Sequence, residues 1–176
     1  MTSVTIQPEN IDHAEAIAAL YAVGFPDSPE GQIVAQLRKN CSDYHGWVAV
    51  NPEQQIIGHI LLTPTEMEFA DGSASMGGLG LAPLVVHPDW QNQGIGSNLV
   101  RYVLKAAAEL SQTFIAVLGD PQYYQRFGFV AAAQWGWQSE YNDIPTEAFM
   151  IYPLQLDRLI QKNGTVYYRA EFAEAI

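Results

Sequence analysis

Apolar positions recur along this chain with two periods, near two residues and near three to four, and the switches between them separate strands from helices. Residues 4–7 predict a first strand. A helix follows over 12–22, with Asp12 placed to cap it, Glu15 three residues on, and Ala14, Ile17, Leu20 and Tyr21 on its buried side. Beyond Gly24 and Pro26, Ser28-Pro29-Glu30 reads as an N-cap, a proline at the first helical position and an acidic first turn. This second helix carries Ile33, Val34, Leu37 and Cys41 inward. Residues 47–50 and 55–63 flank Asn51-Pro52-Glu53 and predict a hairpin, with Ile57, Ile60, Leu61 and Leu62 in its second strand. Residues 65–69 either continue that strand or bend away before the turn at Asp71-Gly72-Ser73.

The most informative pattern runs over 79–110. An apolar, β-branched run (Leu84, Val85, Val86) suits a buried strand, Pro88 ends it, and a loop closing on Gly94-Ile95-Gly96 leads into a helix. Ile95, Leu99, Tyr102, Val103, Ala106 and Leu110 form one apolar stripe on that helix. The first turn of a helix leaves backbone N–H groups without intrahelical partners and carries the positive end of the macrodipole, so the loop favours an anion, and a diphosphate suits it. Gly94 and Gly96 let the backbone come close, and Gln91, Asn92, Gln93 and Ser97 add neutral hydrogen-bonding side chains. Neither common phosphate fingerprint fits. A P-loop needs a lysine after its last glycine, where Ser97 and Asn98 stand, and the dinucleotide fingerprint needs a third glycine where Leu99 stands. A loop that only turns the chain is the plain alternative.

Residues 113–118 form another apolar run, so 81–118 reads as strand, helix, strand, a parallel crossover with its ligand at the carboxyl end of the first strand. Asp120-Pro121 starts a short helix carrying Tyr123, Tyr124 and Phe127, and Gly128 stops it. Residues 135–138 look like a later strand and 164–172 like the last, with a short helical pattern over 154–160; residues 145–152 fit neither period. Aromatics over 135–141 offer a partner surface.

Composition narrows the function. A chain of 176 residues, 48% hydrophobic, can bury a sizeable core, and its length suggests one domain over 1–176. Nothing reads as a signal peptide or a membrane span. The lone cysteine, Cys41, allows no intrachain disulfide, which suits a reducing cytoplasm, the expected location. A net charge of -11 with only eight Lys and Arg argues against a nucleic-acid partner and suits a cationic substrate. The four histidines lack metal-ligand spacing, so no metal is expected, and His59 is placed on the polar face of a strand.

The string Val86-His87-Pro88-Asp89-Trp90-Gln91-Asn92-Gln93-Gly94-Ile95-Gly96 resembles the signature of the GNAT superfamily of acyl-CoA-dependent N-acetyltransferases: Arg or Gln, two residues, Gly, one residue, then Gly or Ala. A second stretch, Gly119-Asp120-Pro121-Gln122-Tyr123-Tyr124-Gln125-Arg126-Phe127-Gly128-Phe129, resembles that superfamily's later Tyr-x-x-x-Gly-Phe motif. Two motifs in order are far more specific than either alone, and with Ala148-Phe149-Met150 and Gly164-Thr165-Val166-Tyr167 the wording looks closest to the YhbS-like branch.

The resemblance implies an α/β fold of GNAT type: a mixed, twisted central sheet of about six or seven strands with helices on both faces. It implies acetyl-CoA as co-substrate, with its pyrophosphate on Gln91, Asn92, Gln93, Gly94, Ile95, Gly96 and Ser97. The pantetheine arm would lie along Leu84, Val85 and Val86 and near Asp120, Tyr124 and Phe127. Tyr124 aligns with the tyrosine whose hydroxyl lies near the CoA sulfur, as acid; packing of a short helix is its rival role. The base is not fixed by the motifs, and Glu66, Glu68 and Glu30 are candidates in that order. The first two helices commonly wall the acceptor site in this superfamily, which adds Phe25, Asp27 and Glu30; for Glu30, stabilising a helix N-terminus is the plainer role. Gln91 stands where arginine is frequent, so the pyrophosphate would rest more on backbone amides, and Asp120 stands where asparagine is common, which alters the side-chain contacts to the pantetheine arm. The expected reaction is direct attack by a primary amine of a small molecule or peptide in a ternary complex, Cys41 being core. A catalytically silent acyl-CoA sensor is the alternative, and transfer to a hydroxyl or from a longer acyl-CoA a third option. Oligomeric state is left open, with a homodimer considered.

Overall fold

A computed structural model describes residues 4–174. In chain order its strands are β1 (Thr5–Pro8), β2 (His45–Val50), β3 (Ile56–Phe69), β4 (Met76–Val86), β5 (Phe114–Leu118), β6 (Val130–Ala131), β7 (Trp137–Ser139), β8 (Phe149–Pro153) and β9 (Gly164–Tyr167). The helices are α1 (Ala14–Gly24), α2 (Glu30–Asn40), α3 (Ile95–Ala107) and the single-turn α4 (Pro121–Tyr124). Residue contacts divide the chain into two compact units, one of residues 1–62, 82–106 and 171–176, the other of 63–81 and 107–170. β3 and β4 run through both.

In the first unit the strands follow the order β1-β2-β3-β4. β1 pairs antiparallel with β2 from Thr5↔Val50, and β2 with β3 from His45↔Leu62 to Val50↔Ile56, with a bulge between Ala49 and Val50. The helix cap differs from expectation. A 3-10 turn over Ile11–His13 precedes α1, so the cap moves upstream: the Asn10 side chain accepts the Asp12 N–H and His13 Nδ1 accepts the Asn10 N–H. Ser28 likewise does not cap α2; its hydroxyl donates to the Glu30 carboxylate. α3 buries Ile95, Leu99, Val100, Val103, Leu104 and Ala107, while Tyr102 is 39% exposed. The buried stripe is therefore rotated from the predicted one, because both faces of this helix carry apolar side chains. Gly58 admits α3: a Cβ there would lie 3.0 Å from Leu99 Cδ1 and 3.4 Å from Ile95 Cγ2.

In the second unit the order is β4-β5-β8-β6, with β9 joining β7 to β3. β5 is parallel to β4, as the crossover predicts, and antiparallel to β8 from Phe114↔Pro153 to Leu118↔Phe149. β8 occupies the stretch that fits neither period, since a strand buried along a continuous apolar run shows no alternation. β3 continues beyond residue 63 instead of bending away and pairs with β9 from Glu66↔Tyr167 to Phe69↔Gly164. The strand expected over 135–138 begins two residues later, after a 3-10 turn at Ala132–Trp135. Trp137 is 2% exposed, edge-on to Phe114 at 5.0 Å, with its indole N–H donating to the Ile160 carbonyl. It is core, and the aromatic partner surface expected there is not formed by it. Both parallel and antiparallel pairs are present, and the mixed α/β class stands.

Candidate functional site

β4 ends at Val86, and the His87 N–H continues its pairing by donating to the Ile57 carbonyl at 2.8 Å. A 3-10 turn over Pro88–Trp90 follows, started by proline and held by the Asp89 N–H donating to His87 Nδ1. The loop then needs two left-handed residues, Asn92 at φ 59 and Gly94 at φ 81, to turn into α3. The first bond of that helix runs from the Asn98 N–H to the Gly94 carbonyl, which leaves the Ile95 and Gly96 N–H groups pointing out of the helix start. Among the described residues nothing lies within 4 Å of a Cβ built on Gly94. Gln91 and Gln93 turn back to brace the loop, donating to the Val86 carbonyl at 3.0 Å and the Asp89 carbonyl at 3.3 Å. The loop thus offers an open, uncharged cradle of backbone N–H groups at a helix N-terminus. A diphosphate fits such a cradle.

The strand feeding the loop keeps an edge unused by β5. Among the described residues β4 and β5 pair only at Leu79↔Ile115 and Gly80↔Ala116, so Leu84, Val85 and Val86 are not bonded to β5. Val85 is buried at 3% exposure, and Leu84 and Val86 are half-buried.

In the second unit, Asp120 caps α4 by accepting the Gln122 N–H at 2.9 Å. Tyr124 is 9% exposed, edge-on to Phe129 at 5.4 Å and Tyr123 at 5.0 Å. Gly119 makes room for it, since a Cβ there would lie 2.5 Å from Tyr124 Cε2. Burial, and secondarily Tyr123, push the Tyr124 phenol well above 10, so it stays protonated at any working pH. Phe127 is half-buried against Tyr123 at 5.2 Å, and Arg126 lies over the Tyr123 ring at 4.6 Å. Gly128 ends the segment at φ 97. Gly128→Ala is expected to destabilise the protein by about 1–2 kcal/mol, the cost of a left-handed alanine, measured by urea unfolding.

Two clefts hold two of the acidic candidates, Asp27 in one and Glu66 in the other. One, of about 560 Å³, lies between α1 and α2 and is lined by Tyr21, Phe25, Asp27, Gly31 and Gln32 among others. Phe25 stacks on Tyr21 at 6.2 Å, Asp27 is held at φ 64, and Glu30 stands at the first turn of α2. α1 seats directly on the donor-side strand, as a Cβ on Gly24 would lie 2.4 Å from Val85 Cγ2. Gly24→Ala must push the helix end off β4, with an expected loss of about 1–3 kcal/mol in thermal unfolding. The other cleft, of about 360 Å³ in the second unit, is lined by Thr65, Glu66, Gln112, Tyr167 and Arg169. Glu66 is exposed there and receives the Ser75 hydroxyl; Glu68 is exposed opposite Thr165.

His59 is not on a polar face. It is 0% exposed, with Nδ1 2.8 Å from the Tyr21 hydroxyl and Nε2 2.5 Å from Glu9 Oε2. Glu9 also receives Arg38 Nε at 3.2 Å and the Tyr44 hydroxyl at 3.0 Å. Burial, only partly offset by Glu9, pushes the imidazole below its ordinary 6.5 and keeps it neutral. Burial alone would raise the Glu9 carboxyl, but its bonds to His59 and Tyr44 and the Arg38 charge outweigh that and hold it below 4.5. Sequence reasoning missed this network because its members are up to fifty residues apart; an acidic residue directly after a strand was the only local sign. No cluster of metal ligands and no helix long and apolar enough to cross a membrane occurs among the described residues.

Comparison with known proteins identifies the family. Residues 42–131 match the family described as acetyltransferase (GNAT) domain. The chain is 31% identical to the N-acetyltransferase YhbS of Escherichia coli over 90% of its own length and 92% of that protein's. The crystal structure of E. coli YhbS in complex with CoA superposes with a TM-score of 0.88 at 29% identity, covering 98% of this chain and 93% of that one. A GNAT family acetyltransferase from Brucella melitensis in complex with acetyl-CoA gives a TM-score of 0.75 at 28% identity, covering 97% and 98%. The chain belongs to the GNAT family of acetyltransferases.

Proposed function

We propose that the protein transfers acetyl from acetyl-CoA to a primary amine by direct attack. The observation that carries the reading is the open helix-start cradle at Gly94, reached from a strand whose Leu84, Val85 and Val86 are not paired with β5. Two relatives of the same fold hold CoA and acetyl-CoA, which supports the same donor here. The donor diphosphate rests on the N–H groups of the 91–97 loop, and its extended arm pairs along β4 like an added strand. The amine nitrogen forms its bond to the thioester carbon, the carbon–sulfur bond breaks, and sulfur leaves with the electron pair. Tyr124, protonated before the reaction, transfers its hydroxyl proton to that sulfur and regains one from solvent. The proton lost by nitrogen goes to a base; Glu66, first in order from the sequence, lines the second-unit cleft, whereas Asp27 is the carboxylate that lines the acceptor cleft. The acceptor enters the cleft between α1 and α2, where Phe25 and the Asp27 carboxylate of the lining suit an amine that is cationic in solution, with the Glu30 carboxylate bound to the lining Ser28 hydroxyl. The net charge of -11 favours the same class.

Tyr124→Phe keeps the ring packing and removes only the hydroxyl. Turnover of acetyl-CoA with primary amines is expected to fall about tenfold or more, equal to about 1.4 kcal/mol, while acetyl-CoA binding is unchanged. Equal rates would remove Tyr124 from the chemistry. Binding of acetyl-CoA without turnover of any amine would favour a sensor.

A further inference from the structure

The buried network beneath α1 reaches the acceptor cleft by a short route. Tyr21 lines that cleft with its ring: Gly31 approaches so closely that a Cβ there would lie 3.1 Å from Tyr21 Cβ, and Phe25 stacks one turn later. The Tyr21 hydroxyl points the other way, into the first unit, and donates to His59 Nδ1 at 2.8 Å. His59 in turn donates its Nε2 hydrogen to Glu9, which Arg38 of α2 and Tyr44 hold from two further sides. Gly46 of β2 leaves the space for that carboxylate, as a Cβ there would lie 2.1 Å from Glu9 Oε2. The Tyr21 hydroxyl, both His59 ring nitrogens and the Glu9 carboxylate each meet their partners in one direction only, so the arrangement specifies a single rotation of α1 about β3. That rotation sets where Phe25 stands and how Gly24 meets Val85.

We propose that Tyr21, His59 and Glu9 are positioning residues for the amine acceptor, fixing the α1 wall of the acceptor cleft against β4. This rests on the reading of that cleft given above. The device works while His59 is neutral, because its Nδ1 then has a lone pair for the Tyr21 hydroxyl. Protonation places hydrogen on both ring nitrogens and adds a positive charge close to Arg38. The charged and titratable groups around the imidazole are Glu9, Tyr21, Arg38 and Tyr44, with Glu30 acting on Tyr21 through space. Acidification should therefore loosen the wall as His59 gains its proton, before the rest of the unit unfolds.

The test uses the whole protein and two variants. Tyr21→Phe deletes one hydroxyl, and Gly46→Ala displaces the Glu9 carboxylate without touching cleft or donor loop. Deuterium exchange of residues 20–31 is followed between about pH 5 and about pH 8, alongside the imidazole nitrogen shifts of His59. Acetyl-CoA affinity is measured by calorimetry, and coenzyme A release with spermidine and with a lysine-containing peptide. In the parent, corrected exchange over 20–31 should rise with the same midpoint as His59 protonation. In both variants it should be about tenfold faster at neutral pH and lose that dependence, the size expected for one buried hydrogen bond. Acetyl-CoA Kd should stay within about twofold while amine KM rises about tenfold. Unchanged exchange in both variants, or acetyl-CoA affinity falling as much as amine KM rises, would overturn the proposal. Exchange and donor binding decide it even if the parent turns over neither amine, an outcome that counts against the amine reading and not against the network.

Discussion

Glu9→Ala is expected to lower the stability of the protein by about 3–5 kcal/mol, because it breaks a buried pair by removing one partner. Arg38 and His59 stay in place without the carboxylate that each of them meets, and the Tyr44 hydroxyl loses its acceptor. Desolvation of those groups is then uncompensated. Urea unfolding at neutral pH reads the loss directly. The same network fixes a pH dependence. His59 is held below its ordinary 6.5 and Glu9 below 4.5, so the unfolded chain binds more protons than the folded one as pH falls. Their contribution is present above pH 6.5 and is lost progressively as pH falls below 6.5 for His59 and below 4.5 for Glu9. Glu9→Ala should remove the loss of stability that Glu9 itself contributes below pH 4.5 and enlarge the loss that begins below pH 6.5, because His59 then lacks the carboxylate that partly offsets its burial.

Gly94→Asp is expected to weaken acetyl-CoA binding about a hundredfold or more, about 2.7 kcal/mol, by placing a carboxylate where the diphosphate would rest. The fold should tolerate the change. Aspartate enters the left-handed region at small cost, an added Cβ meets nothing within 4 Å among the described residues, and a negative charge at a helix start is favourable. A ligand at a hundred times its Kd stabilises by about 2.7 kcal/mol, which for a chain of this size is a rise in Tm of about 5–10 °C. The parent should show that rise with acetyl-CoA and Gly94→Asp should not, with the two melting alike in its absence.

These two sites differ in how far the chain discloses them. The donor loop is local: Pro88, two residues with positive φ, and a helix that starts at Ile95 are consecutive in the chain, so turn chemistry and period expose them together. The parallel crossover from β4 to β5 follows from the same short stretch. The helix facing was less accessible, because α3 carries apolar side chains on more than one side and only its neighbours decide that Val100 and Leu104 go in and Tyr102 goes out. β8 was invisible to periodicity because Phe149, Met150 and Ile151 are all buried and nothing alternates. The Glu9–His59 pair lies beyond any local pattern, since its partners come from different elements and meet only once the first unit has folded. Asp120 and Gln91 were legible as positions but not as roles: each spends its side chain on its own backbone, as a cap and as a brace.

The most direct test of the donor assignment is calorimetric titration of the purified protein with acetyl-CoA, with NAD as the control. The account predicts saturable one-to-one binding of acetyl-CoA and none of NAD. No heat with acetyl-CoA, or equal binding of both, would contradict it and leave the Gly94 loop as a turn or a site for another anion.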